Sequence, residues 1–159
     1  GEYPGDHTKV TYKEGIFVGY RWHDKQKLKP LFCFGHGLSY TSFQYGKISM
    51  DKKEMTADET ITVKVRVKNT GSREGKEIVQ LYIKDKKSSL PRPEKELKGF
   101  EKVSLLTGEE KEVTFTIDKQ ALSFYDDRKQ AWVAEEGDFE VLIGASASDI
   151  KDKAVFNFK

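Results

Sequence analysis

Acid–base chemistry on a covalent bond needs two carboxylates held across a cleft, and a chain of 159 residues with 26 Asp and Glu offers many arbitrary pairs. Asp126 with Asp127 and Glu135 with Glu136 are the adjacent ones. Neighbours on a strand point to opposite faces, and neighbours in a turn are solvated, so neither pair is expected to work together. His7, His23 and His36 lack the paired spacing of a zinc site. Gly35 and Gly37 flank His36 and predict a tight turn in which its ring makes a structural hydrogen bond to the backbone. Ser39, Ser88, Ser89 and Ser146 lie outside any strand–turn–helix nucleophile context. The single cysteine, Cys33, sits between Phe32 and Phe34 and reads as a small apolar residue. No catalytic, cofactor-binding or metal residue is assigned, and no cofactor is expected. Trp22, Trp132, Tyr82 and Tyr125 are the aromatics that could form a sugar platform, but core or interface packing is the expectation for Trp132.

Lys and Arg number 28 against the 26 acids, and the two signs intersperse along the chain. The basic runs at 25–29 and 84–87 lack the interleaved aromatics of a nucleic-acid groove, so no nucleic-acid partner is expected. No stretch approaches the roughly 18 apolar residues of a membrane span, and no membrane partner is expected. A start at Gly1, in a turn-like Gly-Glu-Tyr-Pro-Gly, suggests a piece of a longer protein.

These side chains are positioned, from residue 43 onward, by a pattern of period two. Ile61, Val63, Val65 and Val67 alternate with Thr62, Lys64, Arg66 and Lys68, the signature of a half-buried antiparallel strand. Asn69-Thr70-Gly71-Ser72 supplies a turn. In the strand over 77–84, Val79, Leu81 and Ile83 share one face and Gln80 and Tyr82 the other, with Ile78 and Tyr82 suggesting burial on both sides. Pro91 and Pro93 make a loop or an edge. Further strands are expected over 45–50, 97–106, 113–117, 139–143 and 155–158, and residues 119–124 allow one helical turn. The fold class is therefore all-β: an immunoglobulin-like sandwich of seven or eight antiparallel strands over residues 43–159. Residues 1–42 differ. Short strands are expected at 10–12 and 16–20, and residues 28–40 form an irregular aromatic linker. Phe17, Trp22, Phe32, Phe34 and Tyr40 have no repeating face; they either wrap the sandwich or complete another domain.

Two segments carry a resemblance. Tyr12-Lys13-Glu14-Gly15-Ile16-Phe17-Val18-Gly19-Tyr20-Arg21 and Leu31-Phe32-Cys33-Phe34-Gly35-His36-Gly37-Leu38-Ser39-Tyr40-Thr41 resemble the end of the second, α/β sandwich domain of family 3 β-glucosidases. Val67-Lys68-Asn69-Thr70-Gly71, Gly75-Lys76-Glu77-Ile78-Val79-Gln80-Leu81-Tyr82, Arg92-Pro93, Glu96-Leu97-Lys98-Gly99-Phe100 and Gly108-Glu109 are similar to the C-terminal fibronectin type III-like domain of the same enzymes. The family usually has Pro at the position of Cys33, and a second Tyr where this chain has Trp22-His23.

The resemblance implies that residues 1–42 end the preceding domain and residues 43–159 form the fibronectin type III-like domain. It implies that the catalytic Asp and Glu lie upstream, so this chain is not itself an enzyme. The parent would hydrolyse terminal β-linked glucosyl residues by a retaining double displacement. The implied role is an accessory scaffold docked on the catalytic domains of the same polypeptide through the 91–94 loop and the aromatic linker. The alternatives are a carbohydrate-binding module, with weak affinity for sugar, or a protein-interaction module. Enzymes of this family are commonly periplasmic or secreted, which is the expectation for the parent.

Overall fold

The computed structural model describes residue 5 and residues 8–159. In chain order its elements are α1 (Tyr20–Gln26), β1 (Phe43–Tyr45), β2 (Ser49–Met50), β3 (Glu54–Met55), β4 (Ile61–Asn69) and β5 (Gly75–Asp85). They continue with β6 (Glu96–Leu105), β7 (Glu110–Ile117), α2 (Lys119–Leu122), β8 (Phe124–Asp126), β9 (Ala131–Val133), β10 (Gly137–Gly144) and β11 (Ile150–Phe158).

Two sheets face each other. In the smaller, β4 is flanked by β7 on one side and by β1 and β2 in succession on the other. The single strand expected over 45–50 is interrupted because the Gly46 amide donates to the Arg66 carbonyl at 2.8 Å and the chain then steps away from the ladder. The larger sheet runs β3-β11-β10-β5-β6. It is antiparallel except at its edge, where β3 pairs parallel to β11, a strand and an orientation absent from the expected plan. Two further strands, β8 and β9, form a separate hairpin. The described residues thus hold eleven strands, the surplus over seven or eight being pieces of two or three residues too short to carry a period.

Alternation in β4 buries Ile61, Val63, Val65 and Val67 completely or nearly so. They meet Val79, Leu81 and Ile83 of β5, Phe139, Val141 and Ile143 of β10, and Phe156 and Phe158 of β11 in one core. Each such side chain contributes roughly 1.5–3 kcal/mol on burial. The larger sheet is also covered on its outer face. Tyr82 and Leu142 are buried there with Ala147, against Tyr20 and Leu97, so β5 is buried on both sides from Val79 to Ile83, as Tyr82 suggested, whereas Ile78, the other residue that suggested it, is exposed.

The strands expected at 10–12 and 16–20 do not form. Gly15 and Gly19 adopt positive φ, and the chain turns through Phe17 into α1, whose first turn closes by hydrogen bonds from Trp22 and His23 amides to the Gly19 carbonyl. At its other end β11 lies between β3 and β10, and the Lys159 amide donates to the Met55 carbonyl at 2.9 Å.

Candidate functional site

The segment before β1 is fastened to the sandwich by hydrogen bonds that start from one side chain. Gln80 is buried on the outer face of β5, and its amide nitrogen donates to the Gly35 carbonyl at 3.3 Å and the Ala145 carbonyl at 2.9 Å. The Tyr82 hydroxyl donates to the Gln80 amide oxygen at 2.6 Å. Beside this, the Ala147 amide donates to the Phe34 carbonyl at 2.9 Å, and Tyr20 stacks on Phe34 with centroids 4.9 Å apart. Helix α1 is pinned to the start of β6: the Leu97 amide donates to the Tyr20 hydroxyl, and Lys95 to Asp24 at 2.6 Å.

Gly35 must be glycine. Its φ is +76°, and a Cβ there would lie 2.4 Å from the Gln80 amide oxygen. Gly35→Ala is expected to release this fastening, raising amide hydrogen exchange across residues 17–35 while β4 keeps its protection. Unchanged exchange in 17–35 would show that the segment tolerates the displacement.

A second anchor lies at Asn69, fully buried at the end of β4. Its carbonyl oxygen accepts from the Thr41 hydroxyl at 2.6 Å and the Gly71 amide at 3.0 Å, and its amide donates to the Arg73 and Leu105 carbonyls. A third is ionic. Arg92 is buried, donating to Asp85 at 3.1 Å, to Glu96 at 2.6 Å and to the Leu122 carbonyl at 3.0 Å, with its guanidinium over the Phe124 ring. The expected proline loop is there, and this arginine is what holds it.

The groups singled out as chemical candidates have structural partners. Asp126 is buried, not solvated as expected: it accepts from the Arg128 amide and side chain, which hold its carboxyl below the usual range. Glu135 accepts from the Ser88 and Ser89 hydroxyls and the Ser89 amide. The Ser39 hydroxyl accepts from the Thr41 amide. The predicted turn at His36 forms, its amide donating to the Cys33 carbonyl, but its ring lies against Phe32, 5.4 Å between centroids. His23 places Nδ1 2.9 Å from the Gly19 carbonyl, and His7 lies outside the described residues. Cys33 is more than an apolar filler, because its Sγ donates to the Ser146 hydroxyl at 3.2 Å. Among the described residues no group of three His, Cys, Asp or Glu is arranged to hold a metal ion, and no helix is long and apolar enough to cross a membrane.

Aromatic placement departs most from expectation. Tyr82 is core, while Trp132, expected to be packed, is 70% exposed on the β8–β9 hairpin beside the half-exposed Tyr125. The hairpin belongs to neither large sheet, so nothing closes over its outer face. Phe17 and Tyr20 do wrap the sandwich, but Leu31, Leu38 and Tyr40 are each more than 90% exposed, and Phe32 and Tyr12 largely so. This apolar band sits on backbone fixed at Gly35 and at Thr41, and no sequence pattern distinguished its outward members from the inward ones.

The model of the fibronectin type III-like domain family matches residues 77–147. That stretch covers all but the first two residues of β5 and the whole of β6, β7 and β10. Over those residues the chain is similar to fibronectin type III-like domains. It is 58% identical over 148 residues to thermostable β-glucosidase B of Acetivibrio thermocellus, covering 93% of this chain and 20% of that protein. It is 54% identical over 156 residues to the β-glucosidase BoGH3A of Bacteroides ovatus, covering 98% and 21%. Among solved structures, the β-glucosidase DesR of Streptomyces venezuelae, in complex with D-glucose, superposes with a TM-score of 0.90 at 41% identity over 98% of this chain and 20% of that one. The family 3 β-glucosidase of Bifidobacterium adolescentis superposes with a TM-score of 0.92 at 36% identity over 99% and 23%.

The chain therefore spans about one fifth of the length of the relatives it matches. It corresponds to the fibronectin type III-like portion of family 3 β-glucosidases and not to their catalytic domain. The likeness to these enzymes extends before the domain itself, over the segment fastened at Gly35, which matches together with the sandwich.

Proposed function

We propose that this fibronectin type III-like domain is a non-catalytic scaffold which docks, within one longer polypeptide, on the catalytic domains of a β-glucosidase acting on terminal β-linked glucosyl residues. Residues 1–42 then belong to the end of the preceding domain and its linker, and residues 43–159 to the sandwich. The observation that carries the reading is the apolar band of Leu31, Leu38 and Tyr40, fully outward on a backbone that Gln80 and Asn69 hold rigid. An exposed apolar surface of this kind in a soluble protein marks a contact, and pre-ordered backbone reduces the entropic cost of making it. The occupant is the remainder of the chain, since the relatives carry this segment as one fifth of a larger enzyme. In such an arrangement the sandwich keeps two catalytic carboxylates about 5 Å apart by holding their domains in register.

The test is complementation. The longer polypeptide expressed without these residues is titrated with this chain in a calorimeter and assayed with an aryl β-glucoside. Saturable binding with recovered hydrolysis is expected, and Leu38→Asp combined with Tyr40→Asp should abolish both without lowering the melting temperature of this chain. An absence of binding by the unmodified chain overturns the scaffold.

A further inference from the structure

A cavity of about 700 Å³ opens between the β8–β9 hairpin, the 90–93 loop and residues 16–21. Its volume falls within the range of about 300–1,000 Å³ typical of small-molecule sites. Trp132 and Tyr125 stand at its side with ring centroids 5.9 Å apart and planes at 72°, so two aromatic surfaces meet in a corner. Both rings are more than half exposed although nothing in the sandwich requires them outside.

The polar lining is as informative as the rings. Arg21, Arg92 and Lys98 are set against Glu96 and Asp127 on the wall, with Asp85 behind Arg92. Three cations and three carboxylates leave no net charge to select an anion or a cation. Arg92 is consumed by its two short ion pairs. Arg21 and Lys98, in contrast, lie 3.6 and 3.9 Å from Glu96, beyond hydrogen-bonding distance, so their N–H groups can turn to a ligand while the carboxylate holds them in place. Partial burial lowers the Lys98 pKa, which marks a donor stripped of some of its water.

A ligand that suits this wall is uncharged, offers many hydroxyls, and has a flat C–H face to lay on an aromatic ring. An equatorially substituted pyranose has all three properties. The geometry points to a saccharide site, with a short β-linked glucan lying against Trp132 and Tyr125 and its hydroxyls bonded by Arg21, Lys98 and Asp127. The site is separate from the apolar band: α1 lends Arg21 to this cavity, whereas Tyr20, His23 and Asp24 line a smaller one beside Phe32 and Phe34. It shares the 90–93 loop with the docking surface expected from the resemblance, but none of its lining residues is Leu31, Leu38 or Tyr40, so the two readings are tested by different substitutions.

Because the chain has two tryptophans, Trp22→Phe leaves Trp132 as the sole indole reporter. In that variant, titration with cellopentaose or laminaripentaose is expected to change the fluorescence saturably. Calorimetry on the unmodified chain should give the same affinity. Trp132→Ala should weaken calorimetric binding about tenfold or more with an unchanged melting temperature, since the ring it removes is exposed. A flat titration up to about 10 mM of both sugars, or equal binding by the Trp132→Ala chain, overturns the site.

Discussion

Arg92→Ala destabilises the domain by about 3–5 kcal/mol, far more than a surface arginine would. The reason is what it leaves behind. Asp85 and Glu96 converge on this guanidinium, and Asp85 is as buried as its partner, so deletion strands carboxylates whose hydration was given up on folding. Glu96 retains only the longer contacts to Arg21 and Lys98, and the Leu122 carbonyl at the end of α2 loses its donor. Urea unfolding at neutral pH measures the loss. A change below about 1 kcal/mol would mean that water enters and that the network behaves as a surface one. Replacing Arg92 and Asp85 together with apolar side chains of similar volume, with Glu96 kept for Arg21 and Lys98, should recover part of the stability, because the buried Asp85 carboxylate is then no longer left without its partner. Arg92→Lys should fall between, since an ammonium cannot span both carboxylates in the plane of a guanidinium.

Asn69→Asp is expected to cost more than Asn69→Ala, although it is closer in shape. The alanine loses about 2–4 kcal/mol by leaving the Arg73 and Leu105 carbonyls and the Thr41 hydroxyl without partners in a buried site. The aspartate replaces an N–H₂ that donates to two carbonyls by an oxygen that faces them, adding repulsion to the loss, while the other oxygen still accepts from Thr41 and the Gly71 amide. Thermal melting of the two variants orders them. The reverse order would show that the carboxyl binds its proton and donates in place of the amide. The alanine should also free Thr41, which passes so close to the turn that a Cβ on Gly71 would lie 2.2 Å from its hydroxyl oxygen.

The sandwich was legible because its signal is local. Val63 and Lys64 disclose their faces to anyone who knows the pleat, and Asn69 and Gly71 announce the turn that follows. Ile78 and Tyr82 also suggested a strand covered on both sides, which holds at Tyr82 but not at the exposed Ile78. What covers the second face was not legible, since Tyr20 and Phe34 lie far from β5 in sequence and reach it through glycines whose φ values no period reveals. Helix α1 was missed for a related reason: seven residues make less than two turns, and its contacts to Lys95 and Leu97 stabilise it more than any amphipathic pattern of its own. At the candidate sites the errors ran both ways. Asp126 was expected in solvent and Trp132 in contact, yet Arg128 and the local turn bury the first. The second rides on a hairpin detached from either sheet. Burial of such residues is decided by which element lies opposite, and that is a property of the assembled chain.

The parallel pairing of β3 with β11 has a bearing on how the protein is made. β11 contributes Phe156 and Phe158 to the core and bridges β10 to β3, so the larger sheet has no continuous form until residue 158 has left the ribosome. The smaller sheet, by contrast, has all its strands once β7 has emerged, and β5 and β6 of the facing layer precede β7. At about 5–20 residues per second, the edge strand β3 therefore waits several seconds longer than β4 for a partner, and Met55 stays uncovered until β11 arrives.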